Sequence, residues 1–145
     1  MILVTGGTGL IGSHLLFHLL KNGNKVRSNF RTKESIDKVR KVFGYYSDNA
    51  SQLIDQIDWV KGDITALGGL DALFEGVEQV YHCAALISFD PKDYKLLKQT
   101  NVQGTAHMVN LSLKYGVKKL CYVSSIAAIG PSLKQAKVTE DTEWN

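Results

Sequence analysis

Thr5-Gly6-Gly7-Thr8-Gly9-Leu10-Ile11-Gly12 places four glycines within eight residues, between an apolar run and an amphipathic one. Gly7, Gly9 and Gly12 fit G-x-G-x-x-G, and Gly6, Gly9 and Gly12 fit G-x-x-G-x-x-G. Three demands meet in such a segment: the chain turns sharply, its backbone approaches a phosphate group closely, and the following helix packs tightly on the sheet. Glycine satisfies all three because it has no β-carbon. A helix starting there offers unpaired N–H groups and the positive end of its dipole to an anion. No Gly-Lys-Ser/Thr follows, which excludes a Walker-type phosphate loop. The segment reads as a dinucleotide-binding turn, the alternative being a glycine-rich turn that only packs.

Other candidates are fewer. His14 and His18 stand four apart, a spacing that could hold a metal on a helix, but no third ligand or glutamate accompanies them. They read as surface or packing histidines, and no metal is expected. Cys83 and Cys121 each lie in a short apolar run without C-x-x-C spacing, which reads as two buried reduced thiols. The segment Val26-Arg27-Ser28-Asn29-Phe30-Arg31 ends without an Asp or Glu. NAD-selective domains keep an acid there for both ribose hydroxyls. A guanidinium at Arg31, with Lys33 nearby, could instead stack on adenine and form charge-assisted bonds to a 2′-phosphate. NADP(H) is therefore expected over NAD(H), unless Arg31 is an ordinary surface charge.

These residues need elements to position them. Met1 to Thr5 is a short apolar run that reads as a buried strand. From Leu10 to Lys21, Leu10, Ile11, Leu15, Leu16, Leu19 and Leu20 recur at helical spacing, and Asn22-Gly23 ends the helix. Strands are predicted at Lys25–Phe30, Asp58–Lys61, Gln79–His82 and Lys119–Ser124. Helices are predicted at Glu34 to about Tyr46, Leu70–Phe74 and Lys92–Tyr115, the last closed by Gly116; Ser47–Gln52 reads as irregular. Strands and helices alternate, which implies right-handed crossovers and a parallel sheet covered on both faces. The fold class is α/β, a Rossmann-type doubly wound sheet of about five strands in the order 3-2-1-4-5, with residues 1–145 as one domain.

A chain of 145 residues with 44% hydrophobic and 21% charged residues has the balance of a globular domain. Its net charge of +3 is scattered, without the basic stripe and stacking aromatics of a nucleic-acid binder, so no nucleic acid is expected as partner. No apolar stretch approaches the roughly 18 residues of a membrane span. The structured pattern begins at Met1, which leaves no room for a cleavable leader, and a cytoplasmic protein is expected.

With these motifs in place, the chain resembles the extended short-chain dehydrogenase/reductase family, the NAD-dependent epimerase/dehydratase superfamily, along essentially its whole length. The family's T-G-x-x-G-x-x-G is matched by Thr5 to Gly12, its adenine-contacting acid by Asp63 in Gly62-Asp63-Ile64, and its His-x-Ala-Ala by His82-Cys83-Ala84-Ala85. Asn-Val-x-Gly-Thr is matched by Asn101 to Thr105, and the serine-bearing strand end by Val123-Ser124-Ser125. The similarity is greatest to dihydroflavonol reductases and 3β-hydroxysteroid dehydrogenases, notably at Ser124-Ser125-Ile126 and Gly130-Pro131. The resemblance implies a cofactor site of Gly6, Thr8, Gly9, Leu10, Ile11, Gly12, Arg31, Asp63, Ile64, Ala84, Ala85 and Val123. It implies Ser125 as the catalytic hydroxyl bonding the substrate oxygen, with Ser124 in that part if the register is off by one. Asn101 would steady the site through the helix backbone and a water, or be an ordinary polar helix residue.

One part of the family pattern is missing. Its general acid–base is a Tyr with a Lys four residues later, placed after the serine, and the twenty residues beyond Ser125 contain no tyrosine. Tyr94/Lys98 and Tyr115/Lys119 have the spacing but precede the serine, and read as chance matches. Val138-Thr139-Glu140-Asp141 resembles the linker that leads to the tyrosine helix. The expectation is the N-terminal, cofactor-binding portion of a longer fold, without its substrate domain and inactive alone. An NAD(P)(H)-dependent oxidoreductase of a carbonyl or alcohol is the leading function. A sugar-nucleotide epimerase or dehydratase and a non-catalytic NAD(P)-binding sensor are the alternatives. A homodimer through the helix Lys92–Tyr115 is the expected assembly.

Overall fold

A computed structural model describes residues 1–66, 68–129 and 137–140; Gly130, Pro131 and Asp141, named above, lie outside them. The strands are β1 (Ile2–Thr5), β2 (Val26–Phe30), β3 (Asp58–Lys61), β4 (Gln79–His82) and β5 (Lys119–Tyr122). All pair in parallel, in the order β3-β2-β1-β4-β5. This is the expected doubly wound sheet, and strand order reverses beside β1, where α/β sheets open a crevice.

Successive side chains of a strand face opposite sides of the sheet. Leu3 therefore enters one core and Val4 the other. On the Val4 side lie α1 (Leu10–Lys21), α2 (Glu34–Gly44) and α3 (Ala50–Ile54), through Leu16, Phe17, Leu20, Val39, Phe43 and Ile54. On the Leu3 side, α4 (Asp71–Phe74) buries Leu73 and Phe74. The N-cap of α1 is Gly9, with no side-chain cap bond. A missing cap costs about 1 kcal/mol. Full burial of each large apolar chain contributes roughly 1.5–3 kcal/mol, so packing holds α1 in place.

Three expectations need correction. Ser47–Gln52 was expected to be irregular, but α3 begins inside it, because Ala50, Leu53 and Ile54 share one face that packs on the core. The helix expected at Lys92–Tyr115 is not uniformly α-helical. A 3₁₀ turn (Pro91–Asp93) leads into α5 (Tyr94–Leu97), a π-helical segment (Lys98–Gly104) and then α6 (Thr105–Lys114), which buries Met108 and Leu111. The thiols are not both buried. Cys83 is half-buried, whereas Cys121 is exposed because β5 lies at the sheet edge among the described residues.

His14 and His18 both present ring edges to Tyr46, and His14 Nδ1 lies 2.6 Å from the Tyr46 hydroxyl, so both histidines pack between α1 and the end of α2. No described helix is long and apolar enough to cross a membrane.

Candidate functional site

In a parallel sheet every strand ends at the same edge. The segments following β1 to β5 therefore bring the Gly6–Gly12 turn, Arg31, Asp63, Ala84 and Ser125 to one rim of the molecule. The turn is shaped by contacts that only glycine allows. Gly6 has φ +67°, and a β-carbon on it would lie 2.6 Å from the Ala84 nitrogen. One on Gly12 would overlap the Gly6 carbonyl oxygen, whereas one on Gly9 would meet only that oxygen, at 3.2 Å.

The tight glycines are thus required by the protein's own packing, and Gly9 leaves its outer side bare. Next to it the amides of Leu10, Ile11 and Gly12 take no part in the backbone hydrogen bonds, which resume at Ser13 N–H with the Gly9 carbonyl. The first turn of α1 holds no acid, while His18 and Lys21 stand in its last turn. Leu10 and Ile11 are exposed at this helix end. A bare glycine backbone beside unpaired amides at a positive helix end fits a pyrophosphate.

Asn29 ties this turn to β3. Its Oδ1 accepts from the Gly6 amide at 3.3 Å, and its Nδ2 donates to the Gly62 carbonyl at 3.0 Å. Sequence reasoning noted only that Asn29 is not an acid. The available signal was an amide side chain in a strand buried on both faces, where its polar groups require partners.

One residue past Gly62, Asp63 Oδ1 accepts from the Thr65 amide and hydroxyl, both at 2.9 Å, which fixes the turn and leaves Oδ2 without a bond to the described protein. Ile64 faces the core. Its carbonyl accepts from His107 Nδ1 at 2.8 Å, so only its amide is left for a ligand.

At the end of β4, His82 is fully buried, with Nδ1 2.6 Å from the Thr5 hydroxyl and Nε2 3.0 Å from that of Thr105. Its ring also stacks on Tyr122. Burial lowers its pKa to about 4, so the imidazole is neutral and joins β1, β4, β5 and α6. The Ala84 amide donates to the Thr5 hydroxyl at 3.4 Å, while Ala85 is exposed at the rim.

Asn101, in the π-helical segment, grips the next loop with two bonds: the Leu86 amide donates to its Oδ1 at 2.8 Å and its Nδ2 donates to the Leu86 carbonyl at 2.9 Å. Its side chain is thus a clamp on the loop after β4 rather than an ordinary polar helix residue.

At the end of β5, the Val123 amide donates to the His82 carbonyl, which continues the ladder. Ser125 follows on the exposed rim; its Oγ accepts from the Ala127 amide at 3.2 Å and caps a short 3₁₀ turn (Ile126–Ala128). The hydroxyl proton remains to be donated. Neither earlier tyrosine joins it. The Tyr115 hydroxyl donates to Asp71 at the C-terminal end of α6, and that bond raises its pKa, the wrong direction for a proton-accepting phenolate. Tyr94 stands exposed at the start of α5.

Beyond β2 the chain lines a cavity of about 340 Å³ with Phe30, Arg31, Thr32, Lys33, Glu34 and, from β3, Lys61. Arg31 makes no hydrogen bond or ion pair with the described protein. No acid stands at the end of β2. Glu34, a turn later, has its carboxylate held below the usual range by its own backbone amide and by the Thr32 hydroxyl.

Known proteins share this fold. The chain is 35% identical to a putative dihydroflavonol 4-reductase of Synechocystis over 127 residues, 88% of this chain and 33% of that protein. It thus spans about a third of the length of that curated relative. Among solved structures it resembles a short-chain dehydrogenase/reductase superfamily protein of Agrobacterium tumefaciens with bound NAD, at 26% identity and TM-score 0.76, covering 99% of this chain and 38% of that one. It also resembles yeast methylglyoxal/isovaleraldehyde reductase Gre2 complexed with NADPH, at 25% identity and TM-score 0.67, covering 88% and 37%. The NAD dependent epimerase/dehydratase family profile matches residues 2–145, and the chain belongs to that family.

Proposed function

We propose that the chain is the nucleotide-binding part of an NADP(H)-dependent oxidoreductase, a reductase or dehydrogenase acting on a carbonyl–alcohol pair. The observation that carries this reading is the end of β2, which meets a cavity lined by Arg31 and Lys33 where an NAD-selective site would hold an acid. The pyrophosphate lies on the amides of Leu10, Ile11 and Gly12, and Gly9 allows its close approach. The adenine lies against Asp63, whose free Oδ2 accepts from the exocyclic amine. Ala84, Ala85 and Val123 line the rim beneath the nicotinamide half. The cofactor supplies or takes the hydride. Ser125, anchored by the Ala127 amide, donates a hydrogen bond to the substrate oxygen and orients it. The similarity to a dihydroflavonol reductase favours the reductase reading over an epimerase. A second copy of the chain packs on the exposed side of α6.

Titration calorimetry with NADPH and NADH, on the wild type and on Arg31→Ala, tests the reading. One charge-assisted bond to the 2′-phosphate is worth about 1.5–3 kcal/mol, or roughly ten- to a hundredfold in affinity. The wild type should favour NADPH by at least that factor and the variant should lose that part of the preference. Equal affinities in the wild type, or a preference unmoved by Arg31→Ala, would remove Arg31 from the site. A preference for NADH would favour the epimerase side of the family.

A further inference from the structure

Lys61, at the end of β3, lines the same cavity as Arg31. The register explains how. Phe30, the last residue of β2, pairs with Lys61, the last residue of β3, so Arg31 follows directly on the residue that Lys61 pairs with. The Phe30 ring, which lines the cavity, packs against Trp59, two residues before Lys61 on β3.

The charges of the cavity are unbalanced. Arg31, Lys33 and Lys61 face a single acid, Glu34, whose carboxylate is engaged by Thr32 and its own backbone and lies close to Lys33. That leaves Arg31 and Lys61 without a hydrogen bond or ion pair to the described protein. A lysine on an edge strand also discourages strand-to-strand aggregation, and β3 is an edge strand. Edge protection alone, however, would be served as well by a lysine away from any cavity. Two cations converging on one cavity repel each other, and a dianion between them removes that repulsion and binds to both. A volume of about 340 Å³ is at the small end for ligand sites.

We infer that Lys61 is a second specificity-determining residue, which holds the 2′-phosphate from the β3 side while Arg31 holds it from the β2 side. The inference rests on the NADP(H) reading. The two residues contribute differently: Arg31 offers a planar fork for paired bonds, Lys61 a compact charge that tolerates varied geometry.

Calorimetry on Lys61→Met and Lys61→Arg, with NADPH and NADH as probes, separates the two claims. Lys61→Met should lower the NADPH-to-NADH affinity ratio about tenfold, and Lys61→Arg should keep most of it. If the wild type has no preference, the NADP(H) reading fails and this inference with it. If the wild type prefers NADPH and Arg31→Ala lowers the preference, but Lys61→Met leaves the ratio unmoved, only the role of Lys61 is overturned. An equal loss for both cofactors also overturns it, because a packing defect does not distinguish them. Should Lys61→Met fail to fold, Lys61→Gln is read by the same ratio.

Discussion

The carbonyl oxygen of Gly6 occupies the place where a side chain at Gly12 would begin, and the Gly6 carbonyl carbon lies 2.7 Å from that point. The same oxygen accepts from the Gly9 amide at 2.9 Å, so the turn closes on itself before α1 starts. The helix can lie this close only because residue 12 has no β-carbon.

Gly12 and Gly9 should therefore fail in different ways. Gly12→Ala forces backbone against backbone, and overpacking of that kind costs about 3 kcal/mol. Gly9→Ala meets one oxygen at 3.2 Å and should cost about 1 kcal/mol. Its new methyl group stands where the pyrophosphate must approach, so NADPH affinity should fall at least about tenfold. Urea melts and calorimetry on both variants check this. A Gly12→Ala protein as stable as the wild type would contradict the packing role, and a Gly9→Ala protein that binds NADPH normally would move the phosphates elsewhere.

The parallel alternation of strands and helices and the phosphate turn were legible in the sequence because periodicity and glycine act locally, whereas Asp63, Ala84 and Ser125 were named through the family resemblance. Strand and helix periods name the elements, and parallel pairing brings their ends to one edge. What the sequence hid depends on distance. Asn29 acquires its importance from Gly6 and Gly62, and His82 from Thr5 and Thr105, all remote in sequence. Lys61 looked like an ordinary edge lysine until the register set it beside Arg31. α3 was hidden by polar residues on its outer side, although Ala50 and Ile54 show helical spacing once a core exists to receive them.

His82 predicts how stability depends on pH. Its pKa is about 4 in the folded chain and about 6.5 when exposed, so between those values the unfolded chain binds the extra proton. The stabilising effect of the neutral, buried imidazole is complete above pH 6.5 and is lost as pH falls toward 4. The loss is on the order of 2–3 kcal/mol. Urea midpoints of the wild type and His82→Gln at pH 7.5, 6 and 5 should converge as pH falls, since carboxylate effects are common to both. A constant difference between them would mean that His82 is not buried neutral.

The outer side of α6 carries a prediction about assembly. Met108 and Leu111 face the core, yet Val109 and Leu113 on the same helix are exposed, as is Val102 in the π-helical segment before it. Val102, Ala106, Val109 and Leu113 follow each other at steps of four, three and four, which gathers them into one stripe. A stable interface buries about 1,200–2,000 Å² in total. The competing route is edge pairing of β5, whose outer side has no strand partner among the described residues. The two routes respond to different substitutions. Val109→Glu with Leu113→Glu places four carboxylates across a helix-to-helix dimer and should yield monomers, while leaving the backbone groups of β5 free to pair. Sedimentation at about 100 μM should show a wild-type dimer and a monomeric double variant. A wild-type monomer at that concentration would remove the interface, and a dimer that survives both glutamates would move it to β5.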